Sequence, residues 1–291
     1  MLEIRSLTDD DLEDAMELST QVGWNQIGAD WERFLSLSPE GCFAGTVDGE
    51  LVATTTVITY GDDVSWIGMV LVDEDHRSQG YGGQIFERGL EYARERGGDI
   101  VGLDATHLGE PIYQKYGFEG VATVFRWRGT LREHEPGSLE CDERAPCVER
   151  LESRHVDTLC EFDRRHVGTD RSALFRKLLA EPDVRGYYAS DSPDSSRLDG
   201  YAIARPGRTG WQIGPIVTAD SSAIGPLLRT VSIELDGRDV IVDAPERDPV
   251  TSQLESIGLS RDRELVRMTY PTTEPALLTD SVRSFVDFAF G

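Results

Sequence analysis

The chain has 291 residues, about twice the commonest size of a domain, so its length predicts two domains. Its 53 acidic and 29 basic side chains give a formal net charge of −24, which argues against nucleic acid or an anionic membrane as partners, since both need clustered cations. Only Lys115 and Lys177 are lysines, and such an acidic surface is typical of halophilic proteins. The acidity is spread over the whole chain and therefore does not indicate a basic substrate.

The four cysteines are far apart and form no CxxC pair, so the sequence predicts neither a disulfide scaffold nor a metal site. The first residues carry Arg5 and then acids, where a signal peptide would have a basic and then an apolar region. No apolar stretch approaches the roughly 18 residues of a membrane span. We therefore expect a cytoplasmic protein with no membrane partner.

Hydrophobic periodicity and turn residues predict a mixed α/β first half. In chain order the predicted elements are a strand at 2–5, a helix from 12, a loop at 23–26, a helix around Trp31, a hairpin turn at 48–49, a strand at 66–72, a helix after the glycines at 80–83, a strand at 100–105, a short helix at 110–116 and a strand at 120–128. Residues 131–146 hold two prolines and many charges without periodicity, which predicts a linker between domains.

The second half repeats the pattern of the first. Residues 67–72 align with 213–218, 101–106 with 240–245, and 113–118 with 254–259, at separations that stay between 139 and 146 residues. We expect two copies of one fold, at residues 1–130 and 147–275, with two unrelated α/β domains as the alternative. The apolar tail, residues 276–291, is predicted to be a C-terminal helix that docks on the body or forms a dimer contact.

A glycine cluster follows the strand at 66–72. Arg77, Gly80 and Gly82 form an RxxGxG sequence that opens a helix, so backbone N–H groups and a helix N-terminus meet where a pyrophosphate could bind. Glycine there lets a ligand approach the backbone closely. A dinucleotide fingerprint would need GxGxxG early in a βαβ unit, whereas this cluster comes after four strands and lacks the first glycine. A glycine-rich helix start without a ligand is the plain structural alternative.

Three segments in this order resemble the GNAT N-acetyltransferase superfamily, which uses acetyl-CoA. They are the strand at 70–72, the loop at 77–82 and residues 112–118. The loop at 23–26 with Trp31, and residues 103–106 leading into Tyr113, further resemble tandem members whose second half is a degenerate GNAT domain. The resemblance implies an α/β protein of two tandem GNAT-like domains, each with a mixed, mostly antiparallel sheet flanked by helices.

The resemblance also implies acetyl-CoA as the acetyl donor, without a metal. The pantetheine arm would pair with backbone groups of Val70, Leu71 and Val72 like an added strand. The pyrophosphate would lie against the loop and the first helical turn. The residues of that loop and turn are Arg77, Ser78, Gln79, Gly80, Tyr81, Gly82 and Gly83.

Acetyl transfer to an amine needs an acceptor for the amine proton and a proton donor for the departing thiolate. Tyr113 matches the family tyrosine that acts as this general acid, whereas Leu254 occupies the matching position in the second half. Asp104 is the first candidate for the base, at the end of a strand expected to face the cleft. Asp243 occupies the matching place, which leaves a structural role for Asp104 open, and the base could instead be His107 or water.

The acceptor is expected between the first two helices. Trp24, Gln26 and Trp31 combine aromatic rings with an amide there, with an apolar contact between the helices as the alternative. In the second half, residues 220–225 begin with an acid and lack paired glycines, which predicts one CoA site per chain.

These patterns predict an N-acetyltransferase in which the primary amine of a small molecule attacks the thioester directly in a ternary complex. The alternative is a non-catalytic CoA-binding regulatory or partner-binding module, which would tolerate changes at Tyr113 but not at Gly80 or Gly82. The identity of the amine, the acyl-chain preference and the oligomeric state, with a homodimer as one outcome, stay open.

Overall fold

The chain folds as two halves with matching element order. The computed structural model describes residues 1–96, 98–131, 146–192, 197–271 and 273–291, so all of the predicted linker except its two end residues lies outside the described residues. The first half contains β1 (Glu3–Ser6), α1 (Leu12–Gln21), α2 (Gly28–Leu37), β2 (Cys42–Val47), β3 (Glu50–Tyr60), β4 (Val64–Val72), α3 (Tyr81–Glu95), β5 (Ile100–Ala105), α4 (Glu110–Gln114) and β6 (Glu119–Thr130).

The second half repeats this order. It contains β7 (Cys147–Arg150), α5 (Val156–Val167), α6 (Ser172–Leu178), β8 (Arg185–Ser190), β9 (Gly200–Arg205), β10 (Trp211–Thr218), α7 (Ile224–Glu234), β11 (Asp239–Pro245), α8 (Val250–Ser256), β12 (Ser260–Tyr270) and β13 (Val282–Ser284). Within the described residues, no helix is both long and apolar enough to cross a bilayer.

Helix α3 packs against the sheet through one apolar face. Its inward face buries Ile85, Phe86 and Leu90 against the sheet. Gly89 lets the helix approach β3 closely, because a Cβ at this position would lie 3.2 Å from the side chain of Thr55. This packing fixes the helix N-terminus beside the end of β4.

One continuous sheet runs through both halves, because the halves exchange their last strands. The strand order is β1-β2-β3-β4-β5-β12-β6-β11-β10-β9-β8-β7. Strand β12 pairs antiparallel with β5, while β6 pairs antiparallel with β11, and the two exchanged strands pair with each other. The last strand predicted for the first domain therefore has both of its partners in the second half.

The tail is not the C-terminal helix that its apolar spacing predicts. Residues 276–291 form turns and the short strand β13, which pairs antiparallel with β10. The tail then crosses to the first half, where Tyr60 Oη donates to Phe290 O at 2.7 Å and Trp66 Nε1 donates to Phe288 O at 3.0 Å. Since Val282–Ser284 and most of the residues after it are buried, the apolar run reflects burial on all sides.

Candidate functional site

Strands β4 and β5 separate toward their carboxyl ends and leave a cleft. They pair in parallel only from Val64 to Trp66 and from Ile100 to Gly102, after which β5 continues against β12. The cleft encloses about 630 Å³ of space that no protein atom fills, part of it open to solvent. Residues 67–70 of β4 and residues 103 and 104 of β5 line it, and the tail residues 288 and 289 close one side.

Strand β4 is irregular where it borders the cleft. Its register with β3 shifts between Gly68 and Leu71, and Met69 has a left-handed φ of 50°. The Met69 carbonyl accepts a hydrogen bond from Thr54 Oγ1 at 2.8 Å. Such a bulge redirects backbone groups away from the neighbouring strand. Of the three residues predicted to bind the pantetheine arm, Val70 lines the cleft directly, and residues 71 and 72 continue the same strand.

Tyr113 lines the same cleft from helix α4. Its ring packs against Phe86, with 4.5 Å between centroids, and more distantly against Phe118. Its hydroxyl makes no hydrogen bond with the residues that the structure describes. Burial raises the pKa of Tyr113 above its usual value, so the hydroxyl keeps its proton at neutral pH. The arrangement provides a protonated hydroxyl with free hydrogen-bonding capacity.

Asp104 also borders the cleft, but its carboxylate is committed to an ion pair. Arg267 Nε and Nη2 donate to its two oxygens at 2.9 and 2.8 Å, and both side chains are fully buried. Burial raises the pKa of Asp104, while the guanidinium acts in the opposite direction. The same pair recurs across the exchanged strands as Arg126 and Asp243, at 2.8 and 2.7 Å. This geometry favours the structural role for Asp104 over that of a base.

The predicted acceptor residues divide between the cleft and the core. Trp24 and Gln26 line the cleft. The Trp31 assignment is wrong, because its side chain is fully buried in α2 and packs edge-on against Phe34. Trp31 instead makes the apolar contact that was its structural interpretation. His107 is exposed on the turn before α4, outside the cleft lining.

The glycine cluster forms an open turn at the start of α3. Gly80 has a φ of 84°, a conformation that favours glycine, and no side chain of the described residues caps the helix. A Cβ at Gly82 would meet only Val72 Cγ2, at 3.6 Å, so packing within the chain does not require glycine there. Arg77 Nε donates to Val72 O at 3.3 Å and ties the turn to the end of β4. The turn therefore leaves space and free amides of the kind a pyrophosphate needs.

Two family models match the chain, one in each half. Residues 4–118 match the acetyltransferase (GNAT) family, and residues 159–281 match an acetyltransferase (GNAT) domain. The chain belongs to the GNAT family. It is a tandem GNAT acyltransferase, and the predicted resemblance and the predicted mixed, mostly antiparallel α/β fold are confirmed.

The relatives of this GNAT protein include curated and structural matches. Holothin acyltransferase of Pseudoalteromonas is 24% identical over 226 residues, which are 77% of this chain and 72% of that protein. The uncharacterized N-acetyltransferase YhbS of Escherichia coli is 38% identical over 85 residues, 27% of this chain and 48% of its own length.

Solved structures show the same fold. A putative acetyltransferase from Pyrococcus horikoshii superposes with a TM-score of 0.81 at 22% identity, over 100% of this chain and 96% of that one. A tandem GNAT protein from the clavulanic acid biosynthesis pathway has a TM-score of 0.67 at 16% identity, over 95% and 100% of the two chains.

In the second GNAT domain, other parts of the chain occupy positions that are open in the first domain. Its strands β10 and β11 pair only at residues 211–212 and 240–241, and β13 lies against β10 beyond that point. The paired residues Ile216 and Val217 align with Val70 and Leu71 of the first half. After β10, the Asp220 carboxylate accepts Ser222 N at 2.8 Å, as Asp73 accepts Asp75 N at 3.1 Å in the first half, but α7 begins at Ile224 without a counterpart of the glycine turn.

Sequence reasoning missed the contribution of the exchanged strands to the cleft. Arg126, Arg263 and Leu265 come from β6 and β12 and line it, with the Arg126 guanidinium 5.1 Å from the centre of the Phe288 ring in the tail. None belongs to a recognisable motif. Comparison of the two repeats could have drawn attention to Arg263, because it aligns with Ala122 in the first repeat.

Proposed function

We propose that this GNAT protein transfers the acetyl group of acetyl-CoA to the primary amine of a small-molecule acceptor, by direct attack in a ternary complex. The observation that carries the proposal is that Tyr113, the irregular edge of β4 and the Gln26 amide line one cleft. The free hydroxyl of Tyr113 is the chemical group that a departing thiolate needs. A relative named as an acyltransferase supports the same reaction class.

The donor site combines the strand edge with the glycine turn. Acetyl-CoA supplies an acetyl group activated as a thioester. Residues 70–72 bind the pantetheine arm and residues 77–83 hold the pyrophosphate. The open space in front of Gly82 and the absence of a side-chain cap among the described residues at α3 support this assignment.

The reaction uses Tyr113 as the proton donor. As the amine nitrogen bonds to the acetyl carbon, the carbon–sulfur bond breaks, the sulfur takes the Tyr113 proton, and the nitrogen loses one proton. Water accepts the amine proton, since Asp104 has both oxygens bound by Arg267 and His107 lies outside the cleft lining. Solvent then restores the proton on Tyr113.

Calorimetric titration with acetyl-CoA, followed by thiol release with a panel of amines, tests the proposal. We expect one acetyl-CoA per chain, because β13 lies against the strand that corresponds to β4, and the connection from β10 to α7 is too short to contain a glycine turn. Thiol release should depend on the amine and fall in Tyr113→Phe. Two sites per chain would contradict the assignment of the second domain. A protein that binds no acetyl-CoA, or releases thiol at the same rate without any amine, would refute the proposed activity.

A further inference from the structure

Two arginines face each other across the exchanged strands and border the cleft. Arg263 of β12 is the direct register partner of Arg126 of β6 in an antiparallel pair. Like charges in this position destabilise a sheet. Asp243 pairs with Arg126 through two hydrogen bonds and also accepts one from Gln212 Nε2, at 3.1 Å. One positive charge of the pair therefore has no hydrogen-bonded counter-ion among the described residues.

Arg263 carries that charge. It makes no hydrogen bond or ion pair with any residue in the described ranges of the chain, and it is half-buried. Burial and the neighbouring Arg126 lower the pKa of its guanidinium from the usual value, while the carboxylates of Asp262 and Asp243 act in the opposite direction. The adjacent Asp262 lies 3.6 Å from Arg128 instead. A half-buried cation that borders a cleft and has no hydrogen bond from the described residues fits an anionic ligand group.

The internal repeat shows that the fold does not require this arginine. Arg267 lies 141 positions after Arg126, and Arg263 lies 141 positions after Ala122. Arg267 and Ala122 are also direct register partners, so they form the counterpart of the Arg126 and Arg263 pair. The buried ion pair with aspartate occurs on both sides, whereas the second arginine occurs only on the side that faces the cleft. Packing of the exchanged strands therefore accepts alanine at this place.

Gln26 lines the same cleft and has a hydrogen-bond acceptor that no described residue satisfies. Its Nε2 donates to Asp287 Oδ2 at 3.5 Å, which fixes the orientation of the amide, since a carboxylate can only accept. Its Oε1 is buried and has no partner among the described residues. A buried acceptor without a donor is costly. An N–H group of a bound molecule would satisfy it.

From these two groups, and resting on the proposed function, we propose that the acceptor is an amino acid or a close analogue: Arg263 binds its carboxylate and Gln26 Oε1 accepts a hydrogen bond from its amino group. A guanidinium matches the two oxygens of a carboxylate through paired N–H donors. The net charge of −24 repels anions from the protein surface as a whole. A preference for acceptors with a carboxylate therefore has to come from groups inside the cleft.

The test compares matched acceptors with and without the carboxylate. Thiol release from acetyl-CoA is measured with the common amino acids, each beside its C-terminal amide, on the wild-type protein, Arg263→Ala and Arg261→Ala. The wild type should prefer the carboxylates by about tenfold or more in kcat/KM. Arg263→Ala should remove that preference, because kcat/KM falls about tenfold more for the acids than for their amides. Arg261→Ala is the matched control, because Arg261 pairs with Glu246 and does not line the cleft.

The outcomes separate this inference from the proposed function. Equal rates with acids and amides, or a preference that survives Arg263→Ala, would overturn the carboxylate site while the acetyltransferase activity stands. If no amine releases thiol, the proposed function fails, and calorimetry with the amino acids alone decides the inference. Binding that weakens about tenfold or more in Arg263→Ala would support it, and no binding to the wild type would refute it.

Discussion

The Tyr113 hydroxyl is the proposed proton donor, and we expect folding not to depend on it. It has no hydrogen bond with the described residues, and its ring contacts survive replacement by phenylalanine. Tyr113→Phe should therefore lower kcat by about 10²-fold or more, with the Kd for acetyl-CoA and the Tm unchanged. Because burial raises the pKa of Tyr113, the wild-type rate should persist to pH values above about 10 before the loss of this proton lowers it. A full rate in the phenylalanine protein would remove Tyr113 from the reaction.

Asp104 and Asp243 offer a matched test of structural against catalytic roles. Each is buried and bound on both oxygens by an arginine from an exchanged strand. Removing one charge of such a pair costs about 3–5 kcal/mol, because the other stays buried. Asp104→Asn and Asp243→Asn should both lower the free energy of unfolding by about this amount in urea titrations. If Asp104→Asn kept wild-type stability and lost turnover, Asp104 would be the base.

At the scale of elements, the turn before α3 has the backbone conformation and the open space that a phosphate site needs. Gly82→Trp should raise the Kd for acetyl-CoA strongly, with little change in Tm, because the nearest atom to its Cβ is 3.6 Å away. Gly225→Trp is the corresponding change in α7, where the nearest atom is 3.5 Å away on the flexible Gln253. It should leave acetyl-CoA binding intact. Calorimetry on both proteins measures the difference, and unchanged binding in Gly82→Trp would mean that the pyrophosphate lies elsewhere.

The elements also show what sequence can and cannot predict here. The glycine turn and α4 with Tyr113 are local features, in which neighbouring residues determine the conformation, so the sequence predicts them directly. The exchange of β6 and β12 depends on which distant strand each one meets, and their patterns alone fit either partner. The spacing of the tail wrongly predicts a helix, because a short apolar run buried on all sides has no distinctive period. Arg263 belongs to no motif, and its pairing with Arg126 depends on the contact between two distant strands.

At the scale of the whole molecule, the two halves form one continuous sheet. Each half completes its sheet with a strand from the other, and the tail follows β10 before it reaches Tyr60 and Trp66 in the first half. Arg126 and Arg263, which border the cleft, stand on these exchanged strands. The second domain therefore contributes to the site of the first, although its own cleft is filled.

This exchange predicts that the halves cannot separate while they are folded. The test places one protease site within residues 132–145 and cuts the chain there without denaturant. Strands β5, β12, β6 and β11 are consecutive hydrogen-bonded neighbours in the sheet. The two pieces should therefore stay together in size-exclusion chromatography without denaturant. They should keep acetyl-CoA binding and unfold in a single transition. Each piece expressed alone would expose three unpaired strand edges and aggregate, because β5–β12, β12–β6 and β6–β11 all pair between the halves. Pieces that separate after the cut, or fold alone as monomers, would show that each half completes its own sheet.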